Sequence, residues 1–317
     1  MTTIEVDGLV KRYEGRTVVD GVGFTVDRGE IFGILGPNGA GKTTTVECID
    51  GLRVPDGGRI RVCGIDPAAQ ESELRLVLGA QLQESELPAK LTVGEAMRLY
   101  SSFYAAPADW RELLERLRLT ETLDTQYRRL SGGQQQRLAI ALALLGAPRV
   151  AVLDELTTGL DPNARRDTWE LVEGIREQGV TVLLVTHVME EAERLCDRLA
   201  VIDSGRIVAI DSPAGLVARV DGTQRLRFRP SPPLDPAALS ALPQVASVER
   251  SGEEIVVTGD GDLLLAVATV LADRRITAAG LRLEQASLED AFVRLTGRHL
   301  DSRHDDARRI DTEEHPR

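Results

Sequence analysis

The segment EIFGILGPNGAGKTTTVECIDGL, residues 30–52, decides the fold because it changes character twice. An apolar, strand-like stretch is followed by a glycine-rich loop over residues 36–41 and then by a helical stretch. The loop has the spacing GxxxxGK[ST], in which glycines let successive amides turn inward around a phosphate, Lys42 reaches the terminal phosphates and Thr43 can bind Mg²⁺. A glycine-rich turn that fits this pattern by chance is the alternative. The strand, loop and helix in succession favour a phosphate-binding loop.

Strands and helices continue to alternate downstream of this loop. Apolar strands are predicted at VAVLDEL, residues 150–156, and at VTVLLVTH, residues 180–187, with helical stretches between them. This alternation predicts an α/β fold with a parallel sheet covered by helices. Residues 1–30 predict short strands of an antiparallel β-subdomain. An inserted helical subdomain is predicted over about residues 84–145, where apolar residues recur with helical periodicity.

A second, smaller domain is predicted after Pro213. Its pattern is strand, helix, strand, strand, helix, strand, which is the order of an α+β ferredoxin-like unit. A last helix, SLEDAFVRLTG, should begin after a Ser287 cap with Asp290 three residues further on. We therefore predict a first domain, which contains the phosphate-binding loop, at residues 1–215, an accessory domain at residues 222–298 and a disordered tail at residues 299–317.

The amino-acid composition limits the kinds of partner that the protein is expected to bind. The 38 basic and 50 acidic residues give a net charge of -12, which argues against nucleic-acid binding and against direct insertion into an anionic bilayer. The longest apolar runs, from Leu138 and from Leu263, are about ten residues long and too short to span a membrane. No secretory signal is recognised. The three cysteines show no CxxC spacing and are expected to be buried thiols in a reducing compartment.

A carboxylate pair ends the strand at residues 150–153. Asp154 is placed to hold Mg²⁺, and Glu155 is placed to orient the attacking water; phosphoryl transfer needs both tasks in addition to phosphate binding. Many strands end in acidic residues, so the pair gains its meaning from the glycine loop found with it.

The segment LSGGQQQR, residues 130–137, offers a second place for a phosphate. Ser131, Gly132 and Gly133 precede an apolar helical run, so they should lie at a helix N-terminus, where backbone N–H groups attract anions. The alternative is a plain serine N-cap. Because one nucleotide does not need two cradles from the same chain, the second cradle suggests that a second copy faces the first.

Together, LSGGQQQR, GPNGAGKTT and VLDE followed by TTGLDP closely resemble the ATP-binding cassette (ABC) ATPases over about residues 4–212. This resemblance implies a P-loop NTPase fold of ABC type, ATP and Mg²⁺ as cofactors, ATP hydrolysis and a homodimer. It implies nucleotide contacts at Tyr13, Gly36, Pro37, Asn38, Gly39, Ala40, Gly41, Lys42, Thr43, Thr44, Ser131, Gly132, Gly133, Gln134 and Asp161. The implied metal ligands are Thr43, Gln83 and Asp154, and the implied catalytic residues are Glu155, His187 and Gln83.

The resemblance assigns individual roles as well. Tyr13 would stack on adenine, unless it is an ordinary strand tyrosine. Gln83 would sense Mg²⁺ and water, with Gln81 as the rival position. Asp161 would belong to the loop that crosses the dimer interface, and His187 would contact the γ-phosphate.

The segment THVMEEAERLCDRLAVIDSGRIVAIDSP, residues 186–213, resembles the single-cassette exporter ATPases of the bacterial drug-resistance (daunorubicin/doxorubicin) type. In that group a separate transmembrane permease carries the cargo, so the chain would be peripheral at the cytoplasmic face of the cell membrane. The cargo would be drugs or other hydrophobic or amphipathic compounds. Importer ATPases, which share every catalytic motif, and non-transport ABC ATPases acting on ribosomes or DNA are the alternatives. Leu156 stands where the family often has proline, which should loosen the backbone after Glu155.

Overall fold

The computed structural model describes residues 1–81, 87–219, 224–284 and 287–297 and divides the chain into two compact units. One unit covers residues 1–213 and the other begins at Ala214. The strands of the first unit are β1 Thr2–Tyr13, β2 Arg16–Asp27, β3 Ile31–Leu35, β4 Gly57–Val62, β5 Leu78–Gln81, β6 Val150–Asp154, β7 Thr181–Thr186, β8 Arg198–Asp203 and β9 Arg206–Asp211. Its helices are α1 Lys42–Ile49, α2 Glu71–Leu74, α3 Val93–Ser101, α4 Trp110–Arg116, α5 Gly132–Leu144, α6 Pro162–Glu177 and α7 Met189–Leu195. Helix α8, Pro213–Ala218, begins at the boundary and belongs to the second unit from Ala214 onward.

A six-stranded sheet in the order β5-β6-β7-β3-β8-β9 forms the centre of the first unit. All neighbouring strands are parallel except β9, which runs antiparallel to β8 at the edge. Every residue of β3, β6 and β7 is buried, as expected for parallel strands covered on both faces. The carboxyl ends of these three strands carry the phosphate loop, the acidic pair and His187.

The predicted antiparallel sheet is also present, in the order β2-β1-β4. Its first two strands have 12 residues each, so the expectation of short strands is wrong there. Register shifts along the β1–β2 pairing let the two long strands bend while staying paired. Sequence reasoning missed β4, whose short RIRV alternation follows two glycines.

Helices α3, α4 and α5 lie between β5 and β6, where the helical subdomain was predicted. The approach of α5 to the sheet requires a glycine at position 79, since a Cβ there would lie 1.9 Å from the carbonyl oxygen of Ala143. Helix α3 begins with a capping box between Thr92 and Glu95.

The second unit contains β10 Gln224–Ser231, α9 Ala237–Ser240, β11 Val245–Ser251, β12 Glu254–Gly259, α10 Leu263–Asp273, β13 Thr277–Glu284 and α11 Leu288–Thr296. Its sheet has the order β11-β12-β10-β13 and is antiparallel throughout. Leu263, Val267 and Leu271 form one buried face of α10, and they share a core with the inward side chains of β10 and β12. The ferredoxin-like order of elements matches the prediction, and Ser287 caps α11 in a capping box with Asp290.

Three smaller expectations have mixed outcomes. All three cysteines are free, and Cys48 and Cys196 are buried, but Cys63 is only half-buried, so the expectation of three buried thiols is wrong for that residue. No helix in the described part of the chain is long and apolar enough to cross a membrane. Gln83 and the tail at residues 299–317 lie outside the described residues.

Candidate functional site

The phosphate loop connects β3 to α1, and its lysine is held inside the loop. Lys42 is 5% exposed, and its Nζ donates hydrogen bonds to the carbonyl oxygens of Gly36, at 2.8 Å, and Pro37, at 3.1 Å. The loop thus keeps an ammonium group at its centre, where an incoming phosphate would meet it. Thr43, the next residue, is exposed and Thr44 is half-buried, so the Thr43 hydroxyl is accessible.

Glycines are needed in this loop for two different reasons. At Gly36 a Cβ would lie 2.3 Å from the carbonyl oxygen of Ile202, so any side chain would push the loop away from β8. Gly41 has a φ of 99° at the N-cap of α1, and Gly39 has a φ of 76°. L side chains rarely adopt these angles. Ala40, also in the loop, is buried, and its carbonyl oxygen accepts a hydrogen bond from Gly205 N at 2.9 Å.

The acidic pair lies at the end of β6, beside the end of β7. Asp154 is 2% exposed, whereas the Glu155 side chain is 10% exposed. His187 Nδ1 lies 3.1 Å from Glu155 Oε1, so these two predicted catalytic residues are in direct contact. The backbone of Glu155 has a left-handed φ of 51°, which is uncommon for a residue with a side chain, and its N–H donates to Val185 O at 2.9 Å.

Burial and the neighbouring charges shift the pKa values of Asp154, Glu155 and Lys42. Burial raises the pKa of Asp154 to about 6, with a further contribution from the Glu155 charge, while Lys42 opposes the shift. The hydrogen bond with His187 lowers the pKa of Glu155. Burial lowers the pKa of Lys42, although the nearby charges of Glu155 and Asp154 counteract this. Both carboxylates are therefore ionised at neutral pH.

The arrangement fits a divalent cation. Oδ1 of Asp154 is buried without a hydrogen-bond partner, and a bare carboxylate oxygen is the kind of ligand that Mg²⁺ prefers. Within the described ranges, no group of three or more His, Cys, Asp and Glu side chains forms a metal site by itself. A cation at Asp154 would thus depend on ligands of other kinds, such as the Thr43 hydroxyl and nucleotide phosphates.

The serine–glycine segment occupies a separate pocket. Ser131 is the N-cap of α5 and forms a capping box, in which Ser131 N donates to Gln134 Oε1 at 2.9 Å and Gln134 N donates to Ser131 Oγ at 3.3 Å. Ser131 and Gly132 are exposed, so the cap and an accessible helix N-terminus coexist. The pocket has a volume of about 320 Å³ and is lined by Ser131, Gly132, Gly133, Arg137, Gly159, Leu160, Asp161, Asn163, Ala164 and Asp167.

Asp161 faces this pocket as the N-cap of α6. Its Oδ1 accepts hydrogen bonds from the N–H groups of Asn163 and Ala164, each at 3.0 Å. No residue of the phosphate loop lines the pocket. The structure thus brings Lys42, Asp154, Glu155 and His187 to one sheet edge and places the serine–glycine segment with Asp161.

Tyr13 lies at the end of β1 and is half-buried. Lys11 Nζ and Arg53 Cζ each lie 5.5 Å from the centre of its ring. Cations over an aromatic face stabilise the ring's position. Adenine stacking by Tyr13 stays a prediction.

Two positions near the acidic pair add to what the sequence indicated. Gln81, the rival of Gln83, is buried at the end of β5, and its Oε1 accepts a hydrogen bond from Asp154 N at 3.2 Å. Parallel pairing of β5 with β6 makes this contact, which residue spacing could not reveal. Leu156 is fully buried, so a core side chain fills the position where the family often has proline. The predicted loosening of the backbone there stays a prediction.

Comparison with known proteins identifies the family. A family model described as ABC transporter matches residues 19–158. The Nod factor export ATP-binding protein I of Ralstonia nicotianae is 41% identical over 307 residues, which cover 94% of this chain and 94% of that protein. The chain belongs to the ABC transporter family, as an ATP-binding subunit.

Solved structures of ABC ATPases share the fold. One, described as an ATP binding subunit of an ABC transporter, has a TM-score of 0.63 and 31% identity, over 69% of this chain and 93% of that chain. Another, a cassette described as a dimeric post-hydrolysis state bound to ADP and Pi, has a TM-score of 0.60 and 27% identity, over 66% of this chain and 98% of that chain. The predicted fold class and the predicted ATPase activity of this ABC subunit are confirmed. The narrower resemblance to drug-resistance exporters stays a prediction.

Proposed function

We propose that two copies of this ABC ATPase form an ATP-driven switch that energises an exporter through a separate membrane permease at the cytoplasmic face of the cell membrane. The observation that carries the proposal is the pocket of Ser131 and Gly133, which shares no lining residue with the phosphate loop. A nucleotide bound at Lys42 of one copy would be covered by the Ser131 segment of the other. The related cassette described as a dimer bound to ADP and Pi supports this arrangement.

The residues at the sheet edge divide the chemistry between them. Lys42 and the loop amides would hold the β- and γ-phosphates, and Glu155 would orient the attacking water. His187, within hydrogen-bond distance of Glu155, would hold the transferred phosphate and keep the Glu155 carboxylate in position. Asp154, Thr43 and Gln83 would hold Mg²⁺, which when bound neutralises charge that develops on the phosphates.

Export and cargo follow from resemblance alone. The relative named for Nod factor export supports the outward direction of transport for this chain. Drugs or other hydrophobic or amphipathic compounds stay the proposed cargo class, and substrate contacts would belong to the permease. Binding energy from closure of the dimer would move the permease, and hydrolysis would reset it.

The decisive variant is Glu155→Gln, which keeps the shape of the side chain and removes its charge. We expect it to bind ATP, to accumulate as closed dimers and to lose turnover, as measured by size-exclusion chromatography and phosphate release. Glu177→Gln, at an exposed position at the end of α6, is the matched control and should hydrolyse ATP at the parental rate. Normal hydrolysis by Glu155→Gln would remove this residue from its proposed role.

The transport partner needs a separate test. Affinity purification of the full-length chain from detergent-solubilised membranes should recover a polytopic membrane protein in stoichiometric amount. Recovery with ribosomes or DNA, and without such a protein, would contradict the transport proposal in favour of a non-transport ATPase.

A further inference from the structure

Glu191 is a fully buried glutamate that has no role in the site described above. It lies in α7, four residues after His187, and is 0% exposed. A carboxylate in such a place is costly unless other groups hydrogen-bond to it. The groups that hydrogen-bond to the Glu191 carboxylate therefore indicate which segments it connects.

Three segments meet at the Glu191 carboxylate. Oε1 accepts a hydrogen bond from Trp169 Nε1 of α6 at 3.2 Å. The hydroxyls of Thr186, at the end of β7, and Thr157, in the loop after β6, also face the carboxylate. Trp169, Thr186 and Thr157 are at most 2% exposed, so the cluster is shielded from water.

Two of these segments carry the reacting groups. Thr186 Oγ1 accepts a hydrogen bond from Val188 N at 2.9 Å, so this bond spans His187. Thr157 lies two residues after Glu155, and its carbonyl accepts a hydrogen bond from Leu160 N at 3.2 Å in the turn before α6. The Glu191 carboxylate thus lies between the segment that contains Thr186 and His187 and the segment that contains Glu155 and Thr157.

The contact between Glu191 and Thr157 is incomplete. Oε2 of Glu191 and Oγ1 of Thr157 are both buried, and neither has a hydrogen-bond partner. The hydroxyl is nevertheless close enough to help offset the rise that burial causes in the pKa of Glu191. A small relative movement of the two segments would pair both atoms at once, which favours a second, closed arrangement.

We infer that Glu191 is a positioning residue that forms a hydrogen bond with Thr157 when the nucleotide site closes, and thereby fixes Glu155 and His187 relative to each other. This inference rests on the roles proposed for those two residues. Trp169 would report the event, because its indole N–H is bonded to the same carboxylate.

The test uses the full-length chain in a Trp110→Phe background, which leaves Trp169 as the remaining tryptophan of two. ATP hydrolysis and Trp169 emission are measured with and without Mg²⁺ and ATP. We expect the parent to show an emission change on adding Mg²⁺ and ATP. Glu191→Gln should lose that change and lower kcat about tenfold or more with KM for ATP altered less than about twofold, because the phosphate loop is untouched while the catalytic geometry is loosened.

Thr157→Val separates positioning from mere stability. It removes an unpartnered buried hydroxyl, so thermal stability of the nucleotide-free protein should equal or exceed that of the parent, while kcat falls and the emission change is lost. Thr157→Ser should restore both. Glu190→Gln, one residue before Glu191 and with 67% of its side chain exposed, should behave as the parent.

Two different failures can be told apart. If Glu155→Gln is inactive but Thr157→Val and Glu191→Gln hydrolyse ATP at the parental rate, or Trp169 emission in the active parent ignores Mg²⁺ and ATP, the inference about Glu191 is wrong. If Glu155→Gln itself stays active, the proposed catalytic roles are wrong.

Discussion

Replacing Asp50 by asparagine should stabilise the nucleotide-free protein by an amount that grows with pH. Asp50 follows α1 as its C-cap, and both of its carboxylate oxygens are buried without a hydrogen-bond partner. The carboxyl end of a helix carries partial negative charge, which also disfavours a carboxylate. Burial raises the pKa of Asp50 to about 8, and the charges of Asp154 and Glu47 add to the rise.

The magnitude follows from proton linkage. Because the folded pKa lies above the unfolded value of 3.8, the folded state binds the extra proton between about pH 4 and pH 8, and stability falls as pH rises through that window. Each pH unit there costs about 1.4 kcal/mol, so the contribution of Asp50 should worsen by about 3 kcal/mol between pH 5 and pH 7. An asparagine side chain at this position cannot ionise, so the gap between variant and parent should widen by that amount.

Urea unfolding without Mg²⁺ or nucleotide, followed by tryptophan emission, measures this gap. Both tryptophans, Trp110 and Trp169, lie in the first unit, so the signal reports the unit that contains Asp50. Asp56→Asn is the control, and its effect on the free energy of unfolding should depend on pH in the opposite direction. The exposed Asp56 carboxylate accepts hydrogen bonds from Arg12 N and Lys11. The bond from Arg12 N is the main cause that lowers the pKa of Asp56. The contribution of Asp56 to the stability of the fold is therefore lost as pH falls.

The result that refutes this reasoning is simple to recognise. If the Asp50→Asn variant and the parent change stability in parallel from pH 5 to pH 7, Asp50 does not have a raised pKa, and its burial carries no electrostatic cost.

Two further outcomes are expected. Gly36→Ala should lower ATP affinity by an order of magnitude or more in equilibrium binding, because its Cβ would lie 2.3 Å from Ile202 O. Unchanged ATP binding by this variant would contradict the close packing of the loop. Gly174→Ala, in open space within α6, should instead raise the free energy of unfolding by about 1 kcal/mol in urea unfolding. The Mg²⁺ affinity of the ATP-bound protein should fall roughly tenfold per pH unit below about pH 6, because Asp154 must first lose its proton. Magnesium titrations from pH 5 to pH 7.5 test this, and an Asp154→Asn variant with the same pH dependence would show that another group is responsible.

The parts of the site that could be predicted from sequence are those written in contiguous residues. The loop at residues 36–43 and the Ser131 cap are local features, so their spacing was sufficient to find them. The roles of His187 and Glu155 were implied only by family resemblance, and their direct contact was not predicted, because strand order brings the two together from positions 32 residues apart.

Partners that depend on packing could not be predicted. Glu191 lies in the polar stretch MEEAER, which is typical of an exposed helix, but its side chain is directed into the protein beside Trp169. Likewise, the lack of a hydrogen-bond partner at Asp50 depends on which atoms surround it, and no residue pattern records that. Cys63 was expected to be buried from its type alone, although its place at the end of β4 leaves it half-exposed.

The backbone angle at position 155 lowers the stability of the fold at a residue that the proposed ATP hydrolysis needs. A φ of 51° costs a residue with a side chain about 1–3 kcal/mol relative to a relaxed conformation, whereas glycine adopts it freely. Glycine would relieve this cost but would also remove the carboxylate that lies 3.1 Å from His187 Nδ1. The strained angle thus accompanies the side chain that the proposed reaction needs.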